Sequence, residues 1–125
     1  MAIQHIYLVE DSPLLTERLI ELLDAVPGAL VMGVASGADE AIADILLERP
    51  DMVLLDLQLA QGSGYDVLKA LGAAAPEIDV FMMSSFAAEP YRRIAARLGA
   101  RDFFDKGTDL RRVRDLVAAR VAATH

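Results

Sequence analysis

Apolar residues divide the chain into two kinds of segment that alternate along its length. Short apolar runs, with the branched and aromatic content of β-strands, occupy residues 5–9, 30–35, 52–55, 80–83 and 101–104. After each run, apolar residues recur every three or four positions, as they do on one face of an α-helix. The first such face consists of Leu15, Leu19, Leu22, Leu23 and Val26. The pattern therefore predicts five strand–helix pairs.

Residues that begin helices stand at the expected places. The dipeptide Ser-Pro at 12–13 is typical of a helix N-cap followed by proline in the first turn. Ser36 with Asp39, and Ser63 with Asp66, have the spacing of a capping box. These signals predict that helices one, two and three begin at these points.

Strands joined by helices predict a parallel sheet, because a helical crossover returns the chain in the same direction. The third and fourth runs are almost purely apolar, as in strands covered on both faces. We therefore expect one α/β domain over residues 1–125, doubly wound, with helices on both faces. The flavodoxin-like strand order 2-1-3-4-5 is a common arrangement of this type, and its ligand sites lie beyond the carboxyl ends of the strands.

Composition and charge narrow the classes of function. The 125 residues are 54% hydrophobic and 25% charged, which is typical of a single globular domain. The absence of cysteine excludes disulfides, thiolate metal ligands and cysteine nucleophiles. The first residues lack the features of a signal peptide, and no apolar run approaches the ~20 residues of a membrane helix, so we expect a cytoplasmic protein that does not bind membranes. A net charge of −7 argues against direct binding of nucleic acid.

Acidic residues follow two of the predicted strands. Glu10 and Asp11 come after the first strand, and Asp56 comes after the third. In the order 2-1-3-4-5 these strands are neighbours, so three carboxylates would repel one another at one edge unless a cation neutralises them. Oxygen ligands without histidine or cysteine suit Mg²⁺. A carboxylate beside Mg²⁺ can also attack phosphorus and form an aspartyl phosphate.

Two possible donors for phosphoryl oxygens follow the remaining strands. Ser84 comes after the fourth strand and Lys106 after the fifth. Either residue alone is more often an ordinary surface side chain. The predicted topology, however, brings both beside Asp56.

Taken in order, these residues resemble the receiver domains of two-component response regulators, and the resemblance covers the whole chain. It rests on the acidic pair at 10–11, the stretch 54–59 around Asp56 with Gly64 eight residues beyond, Ser84 followed by Ser85, and the stretch 98–106 that ends on Lys106. The resemblance implies the flavodoxin-like order 2-1-3-4-5. It also implies that Asp56 accepts a phosphoryl group from a histidine kinase or a phosphotransfer protein.

The resemblance assigns a role to each site residue. Asp11, Asp56 and the backbone carbonyl of Gln58 would bind Mg²⁺ directly, and Glu10 would act through a water molecule. Ser84 and Lys106 would contact the phosphoryl oxygens. Phe103 resembles the switch aromatic residue that moves inward from the solvent side when Ser84 engages the phosphoryl group. Packing in the core is an equally good interpretation of Phe103, because the fifth strand needs an apolar filler.

The resemblance further implies two surfaces for protein partners. The kinase or phosphotransfer protein would contact helix one at Leu14, Leu15 and Arg18. The output partner would contact the surface of helix four, strand five and helix five, which includes Tyr91, Arg92, Phe103 and Arg112. No output module is recognisable after helix five, so we expect either a stand-alone receiver or a fragment of a longer protein. Such a domain is a phosphoacceptor switch that catalyses only its own phosphorylation and dephosphorylation.

Three residues depart from the usual family pattern. Glu10 stands where aspartate is commoner, Ala60 replaces a proline, and Gly107 replaces a proline preceded by a cis peptide bond. Because a cis bond before a residue other than proline costs ~3 kcal/mol, we expect a trans peptide between Lys106 and Gly107. None of the departures removes a group that performs chemistry.

Three other functions are alternatives to a phosphorylated receiver. An aspartate-nucleophile phosphatase would need a second acid at position 58, and Gln58 cannot transfer a proton. A carrier of flavin mononucleotide would need a phosphate-binding loop after the first strand, where Glu10 and Asp11 would repel phosphate. A degenerate receiver, which binds partners without phosphorylation, stays open, although the acceptor Asp56 and Lys106 are both present.

Overall fold

The computed structural model describes residues 3–86 and 88–123. Strands and helices alternate throughout this part, as predicted. In chain order the elements are β1 (Gln4–Val9), α1 (Pro13–Asp24), β2 (Ala29–Ala35), α2 (Ala38–Glu48), β3 (Met52–Asp56), α3 (Gly64–Ala74), β4 (Asp79–Ser84), α4 (Glu89–Arg97), β5 (Asp102–Asp105) and α5 (Leu110–Ala123). Asp56 and Ser84 are the last residues of their strands, one position earlier than predicted.

The strands form one parallel sheet in the order β2-β1-β3-β4-β5, so the predicted topology is confirmed. β3 lies in the centre and all five of its residues are buried. Its neighbour β1 pairs Val9 with Leu55. The carboxyl ends of these two strands are therefore adjacent, which brings the residues that follow Val9 close to Asp56.

Successive strand residues point to opposite faces of the sheet, and each face carries its own core. On one face, Tyr7, Val53 and Met82 pack with residues of α2, α3 and α4. On the other face, Leu8 and Leu54 pack with residues of α1 and α5. Because helices cover both faces, the central strands are apolar along their whole length, and polar side chains collect at the strand ends.

The helix starts agree with the sequence signals except in α2. The Ser12 side chain caps α1, and Ser63 and Asp66 form the predicted capping box of α3. For α2, the N-cap residue is Gly37 and no side chain at that position caps the helix. The prediction for Ser36 is wrong because the helix begins one residue too late for it.

Two smaller predictions concern the backbone and membrane insertion. Residues 3–86 and 88–123 contain no cis peptide bond, so the Lys106–Gly107 bond is trans, as predicted. Over the same residues, every helix is too short or too polar to span a bilayer.

Candidate functional site

Three carboxylates meet at the carboxyl edge of the sheet, as predicted. Glu10 and Asp11 follow β1, Asp56 ends β3, and one oxygen of each lies within 4.8 Å of one oxygen of the others. The three residues differ in exposure. Glu10 is 2% exposed and Asp56 is 3% exposed, whereas Asp11 faces solvent. The site thus consists of two buried acids and a third at its mouth.

Lys106 reaches both buried acids from the residue after β5. Its Nζ atom lies 2.7 Å from Asp56 Oδ2 and 2.6 Å from Glu10 Oε1. Burial lowers the pKa of Lys106, but the hydrogen bonds and negative charges of Asp56 and Glu10 outweigh it and raise the pKa above its usual value. Lys106 therefore carries its charge at neutral pH and neutralises part of the acidic cluster.

Glu10 is the acid of this cluster whose surroundings raise its pKa and so disfavour its charged form. Burial is the main cause that raises the pKa of Glu10, and the nearby charge of Asp56 adds to it, while Lys106 and the amide of Ser12 oppose it. Glu10 Oε2 accepts a hydrogen bond from Ser12 N at 2.9 Å. Its other oxygen, Oε1, is paired with the Lys106 ammonium.

These features fit a hard divalent cation. The donor set consists of carboxylate oxygens only, which Mg²⁺ prefers over softer metals. Lys106 contacts two of the three carboxylates, so negative charge remains for a cation to neutralise. The exposed carboxylate of Asp11 leaves one side of the cluster open to water, and Mg²⁺ usually retains several water ligands.

The remaining predicted site residues lie around Asp56. Ser84, at the end of β4, is 1% exposed, and its Oγ accepts a hydrogen bond from Phe86 N at 2.9 Å. The carbonyl of Ser84 accepts a hydrogen bond from Lys106 N at 3.0 Å, which joins the ends of β4 and β5. Gln58 N donates to Asp56 Oδ1 at 3.3 Å, so the backbone of Gln58 lies beside the acid.

Phe103 lies in the core, which is one of the two interpretations that the sequence left open. Its side chain is 4% exposed and packs in the core under α4. The Arg92 guanidinium lies 5.1 Å from the ring centre and donates to the carbonyl of Phe103 at 2.8 Å. The prediction that Phe103 belongs to the exposed partner surface is wrong, because β5 pairs Phe103 with the buried Met82. An inward movement from the solvent side is also not available to a ring that is already inside.

Sequence reasoning placed Tyr91 on a partner surface but missed the aromatic group that it forms with Tyr65 and Phe86 next to the site. The rings of Phe86 and Tyr91 are 6.3 Å apart, and Tyr65 donates its hydroxyl to the carbonyl of Tyr91 at 3.2 Å. With the loop after β3, these residues line an open cavity of about 330 Å³. The sequence contained one indication of this aromatic group, since Phe86 lies only two residues after the predicted site residue Ser84.

Comparison with known proteins agrees with this geometry. The chain matches the family model of the response regulator receiver domain over residues 6–118. The protein belongs to this family. Receiver domains of two-component systems are phosphoacceptor switches that interact with histidine kinases or phosphotransfer proteins and with output domains. The chain is also 30% identical, over 119 residues, to the DNA-binding transcriptional activator DevR/DosR of Mycobacterium tuberculosis, which covers 92% of this chain and 55% of that protein.

Solved structures show the same fold. The signal receiver domain of the putative response regulator NarL from Mycobacterium tuberculosis aligns with a TM-score of 0.89 at 21% identity, covering 98% of this chain and 99% of that domain. The CheX–CheY–BeF3–Mg²⁺ complex from Borrelia burgdorferi contains a chain that aligns with a TM-score of 0.77 at 21% identity, covering 90% of this chain and 87% of that one. The curated relatives are longer, since this receiver spans about half or less of their length.

Proposed function

We propose that Asp56 accepts a phosphoryl group from a histidine kinase or a phosphotransfer protein in a Mg²⁺-dependent reaction. The observation that carries this proposal is the contact of Lys106 with both Asp56 and Glu10 inside the acidic cluster. An oxygen of the Asp56 carboxylate forms a bond to phosphorus while the phosphorus–nitrogen bond of the donor phosphohistidine breaks. The departing imidazole keeps the electron pair of that bond and takes a proton.

Asp11, Asp56 and the backbone carbonyl of Gln58 would hold Mg²⁺, and Glu10 would act through a water molecule. When bound, Mg²⁺ supplies positive charge that offsets the repulsion between the carboxylates and the incoming phosphoryl oxygens. The Mg²⁺ named in the Borrelia burgdorferi complex supports this assignment. So does the acidic cluster itself, in which one oxygen each of Glu10, Asp11 and Asp56 lies within 4.8 Å of the others.

Lys106 and Ser84 would bind the transferred group. Lys106 Nζ already lies 2.7 Å from Asp56 Oδ2, so a phosphoryl group on Asp56 comes within its reach. Ser84 Oγ accepts a hydrogen bond from Phe86 N, which leaves the hydroxyl proton of Ser84 to be donated to a phosphoryl oxygen. Charge-assisted hydrogen bonds of this kind are stronger than neutral ones, and they exist only in the phosphorylated state.

Two surfaces are proposed for protein partners. On α1, Leu14 is 70% exposed and Arg18 faces solvent, which supports docking of the phosphodonor there. On the surface of α4, β5 and α5, the exposed side chains of Tyr91 and Arg112 support contact with an output partner. We further propose that the chain acts in the cytoplasm as a single receiver domain, whose output lies in a partner or in another part of a longer protein.

Incubation with acetyl phosphate, with and without Mg²⁺, followed by intact mass measurement, tests the proposal. We expect the mass of one phosphoryl group to be gained only with Mg²⁺, and to be absent in Asp56→Asn. Asp115→Asn, which changes an exposed aspartate on α5, is the matched control and should be phosphorylated normally.

Each other outcome has a definite meaning. No gain of mass in the unmodified protein would favour the degenerate receiver that binds partners without phosphorylation. An unchanged gain in Asp56→Asn would show that another residue is the acceptor. Continuous release of phosphate from a phosphate monoester would favour the phosphatase. It would mean that a residue other than Gln58 transfers the proton.

A further inference from the structure

The loop between β3 and α3, residues 57–63, is fixed at its base by backbone hydrogen bonds to β4 and to the start of α3. Leu57 N donates to Met83 O at 3.0 Å, and Gly64 N donates to Leu57 O at 2.8 Å. Gln58 and Ser63 face each other across the loop in an isolated antiparallel bridge. These contacts fix where the loop leaves β3 and enters α3, and residues 59–62 between them form its tip.

The tip is held by the start of α2 through three hydrogen bonds. Ala60 N donates to Ser36 O at 3.0 Å, Ala38 N donates to Gln61 O at 2.8 Å, and Asp39 N donates to the side-chain oxygen Oε1 of Gln61 at 3.0 Å. We name these three bonds the loop–helix clasp. Gln61 thus does for α2 what an N-cap side chain usually does, because the N-cap residue Gly37 has none to offer.

The backbone is packed closely at the same place. Gly62 has a φ of +71°, and a Cβ atom built on it would lie 2.7 Å from the Cβ of Ala38. Only glycine allows both this conformation and this approach without strain. The clasp therefore joins two segments that are in tight contact.

Position 60 supplies one of the three bonds of the clasp. A proline, usual there in the family that the sequence resembles, would restrict φ by its ring but has no amide to donate. Ala60 lacks that restriction, and its amide instead donates to Ser36 O. A hydrogen bond between segments thus replaces the restriction that a proline ring would give.

We propose that Gln61 is a positioning residue for the metal site, and that the loop–helix clasp holds the Gln58 carbonyl toward the bound cation. This inference rests on the proposed function, in which Gln58 is a metal ligand. Gln61 is exposed and belongs to the loop tip, so it acts through the backbone of residues 58–61 and not by contact with the cation. Because coupling between two events is reciprocal, Mg²⁺ must in turn strengthen the clasp.

The test is a Mg²⁺ titration of the unmodified protein and of three variants, followed by amide chemical shifts. Gln61→Ala removes the bond to Asp39 N, and we expect Mg²⁺ to bind roughly threefold to tenfold more weakly, as for the loss of one hydrogen bond. Gln61→Glu keeps an acceptor oxygen at the start of α2 and should bind within about twofold of the unmodified protein.

Arg49→Ala is the matched control at the other end of α2. It loses a hydrogen bond from Arg49 Nε to Leu46 O and an ion pair with Glu77, both at 3.0 Å, but touches no residue of the loop. Its affinity for Mg²⁺ should not change. A second readout needs no variant, because hydrogen exchange at the amides of Asp39 and Ala60 should slow when Mg²⁺ is added.

The outcomes separate this inference from the proposed function. If the unmodified protein binds Mg²⁺ but Gln61→Ala binds it equally well, or if Gln61→Glu binds as weakly as Gln61→Ala, the clasp inference fails and the proposed function stands. Equal weakening in Arg49→Ala, or amide exchange that does not respond to Mg²⁺, also overturns the clasp. Absence of Mg²⁺ binding in the unmodified protein would overturn both.

Discussion

Replacing Lys106 by methionine removes a cation that contacts both buried acids and keeps most of the side-chain volume. The two contacts, at 2.7 Å to Asp56 and 2.6 Å to Glu10, each correspond to ~6 kcal/mol of gross Coulomb attraction at an effective dielectric constant of ~20. Desolvation offsets most of that attraction. Removal of one partner of a buried ion pair nevertheless lowers the free energy of unfolding by ~3–5 kcal/mol, because the other charge is left buried and unpaired. Since Glu10 can take up a proton and so lose its unpaired charge, we expect Lys106→Met to lower the free energy of unfolding by about 3 kcal/mol.

The assay is urea unfolding followed by circular dichroism, with a chelator present so that no divalent cation substitutes for Lys106. The same change in an Asp56→Asn background should cost about 1–2 kcal/mol less, because one of the two unpaired carboxylates is then neutral. Added Mg²⁺ should recover part of the stability of Lys106→Met, since it binds the folded state. Lys69→Met, on the exposed face of α3, is the control and should stay within about 0.5 kcal/mol of the unmodified protein.

Two results would refute this reasoning. The first is a Lys106→Met variant that is as stable as Lys69→Met in the chelator. The second is an equal cost of Lys106→Met with Asp56 and with Asn at that position, which would mean that the lysine contributes through packing and not through charge.

Three further changes test other parts of the structure. Asp11→Ala should abolish Mg²⁺ binding in an amide-shift titration and leave the unfolding free energy unchanged or higher, because one of three clustered anions is removed. Gly33→Ala should destabilise the fold by ~1–3 kcal/mol in thermal unfolding, since the new Cβ would lie 2.5 Å from the buried ring of Tyr7. Burial, and then the hydrogen bond to Asp44, raises the pKa of Tyr7 far above its usual value of 10.0, so stability should be lost as pH rises above about 10, and Tyr7→Phe should reduce that loss.

The elements of the fold and the composition of the site could be predicted because both depend on local patterns. Apolar runs and helical stripes predicted the alternating strands and helices, and topology rules then predicted that the strand ends meet at one edge. Glu10 and Lys106 follow their strands directly and Asp56 ends its own, so the sheet alone brings them together. No knowledge of loop conformation was needed for this step.

Features that depend on contacts between loops could not be predicted. The capping of α2 by Gln61 joins residues 22 positions apart, and nothing in the local sequence distinguishes that glutamine from an ordinary exposed one. The sequence also left open whether Phe103 is buried, because its burial depends on a helix that packs over its strand. An apolar residue in a short edge strand is covered only if a helix packs over it, and here α4 does so with Arg92 over the ring.

The burial of Phe103 bears on how phosphorylation would reach α4. Because the ring is already inside, filling of a vacated space by Phe103 cannot drive a change that starts from this structure. A second route of contacts exists, since Ser84 Oγ accepts from Phe86 N and the Phe86 ring contacts Tyr91 in α4. When Ser84 donates to a phosphoryl oxygen, movement of its hydroxyl would displace Phe86 and with it the start of α4.

Variants at two positions distinguish this route from one through Phe103. Ser84→Ala should still gain a phosphoryl group on Asp56 but should fail to shift the amide signals of α4. Phe86→Ala keeps the backbone donor to Ser84 and removes only the ring next to Tyr91, so it should be phosphorylated normally and show reduced shifts in α4. The α4 amide shifts measure this coupling directly. Full α4 shifts in phosphorylated Phe86→Ala would exclude the aromatic pair as the connection between Asp56 and the α4 surface.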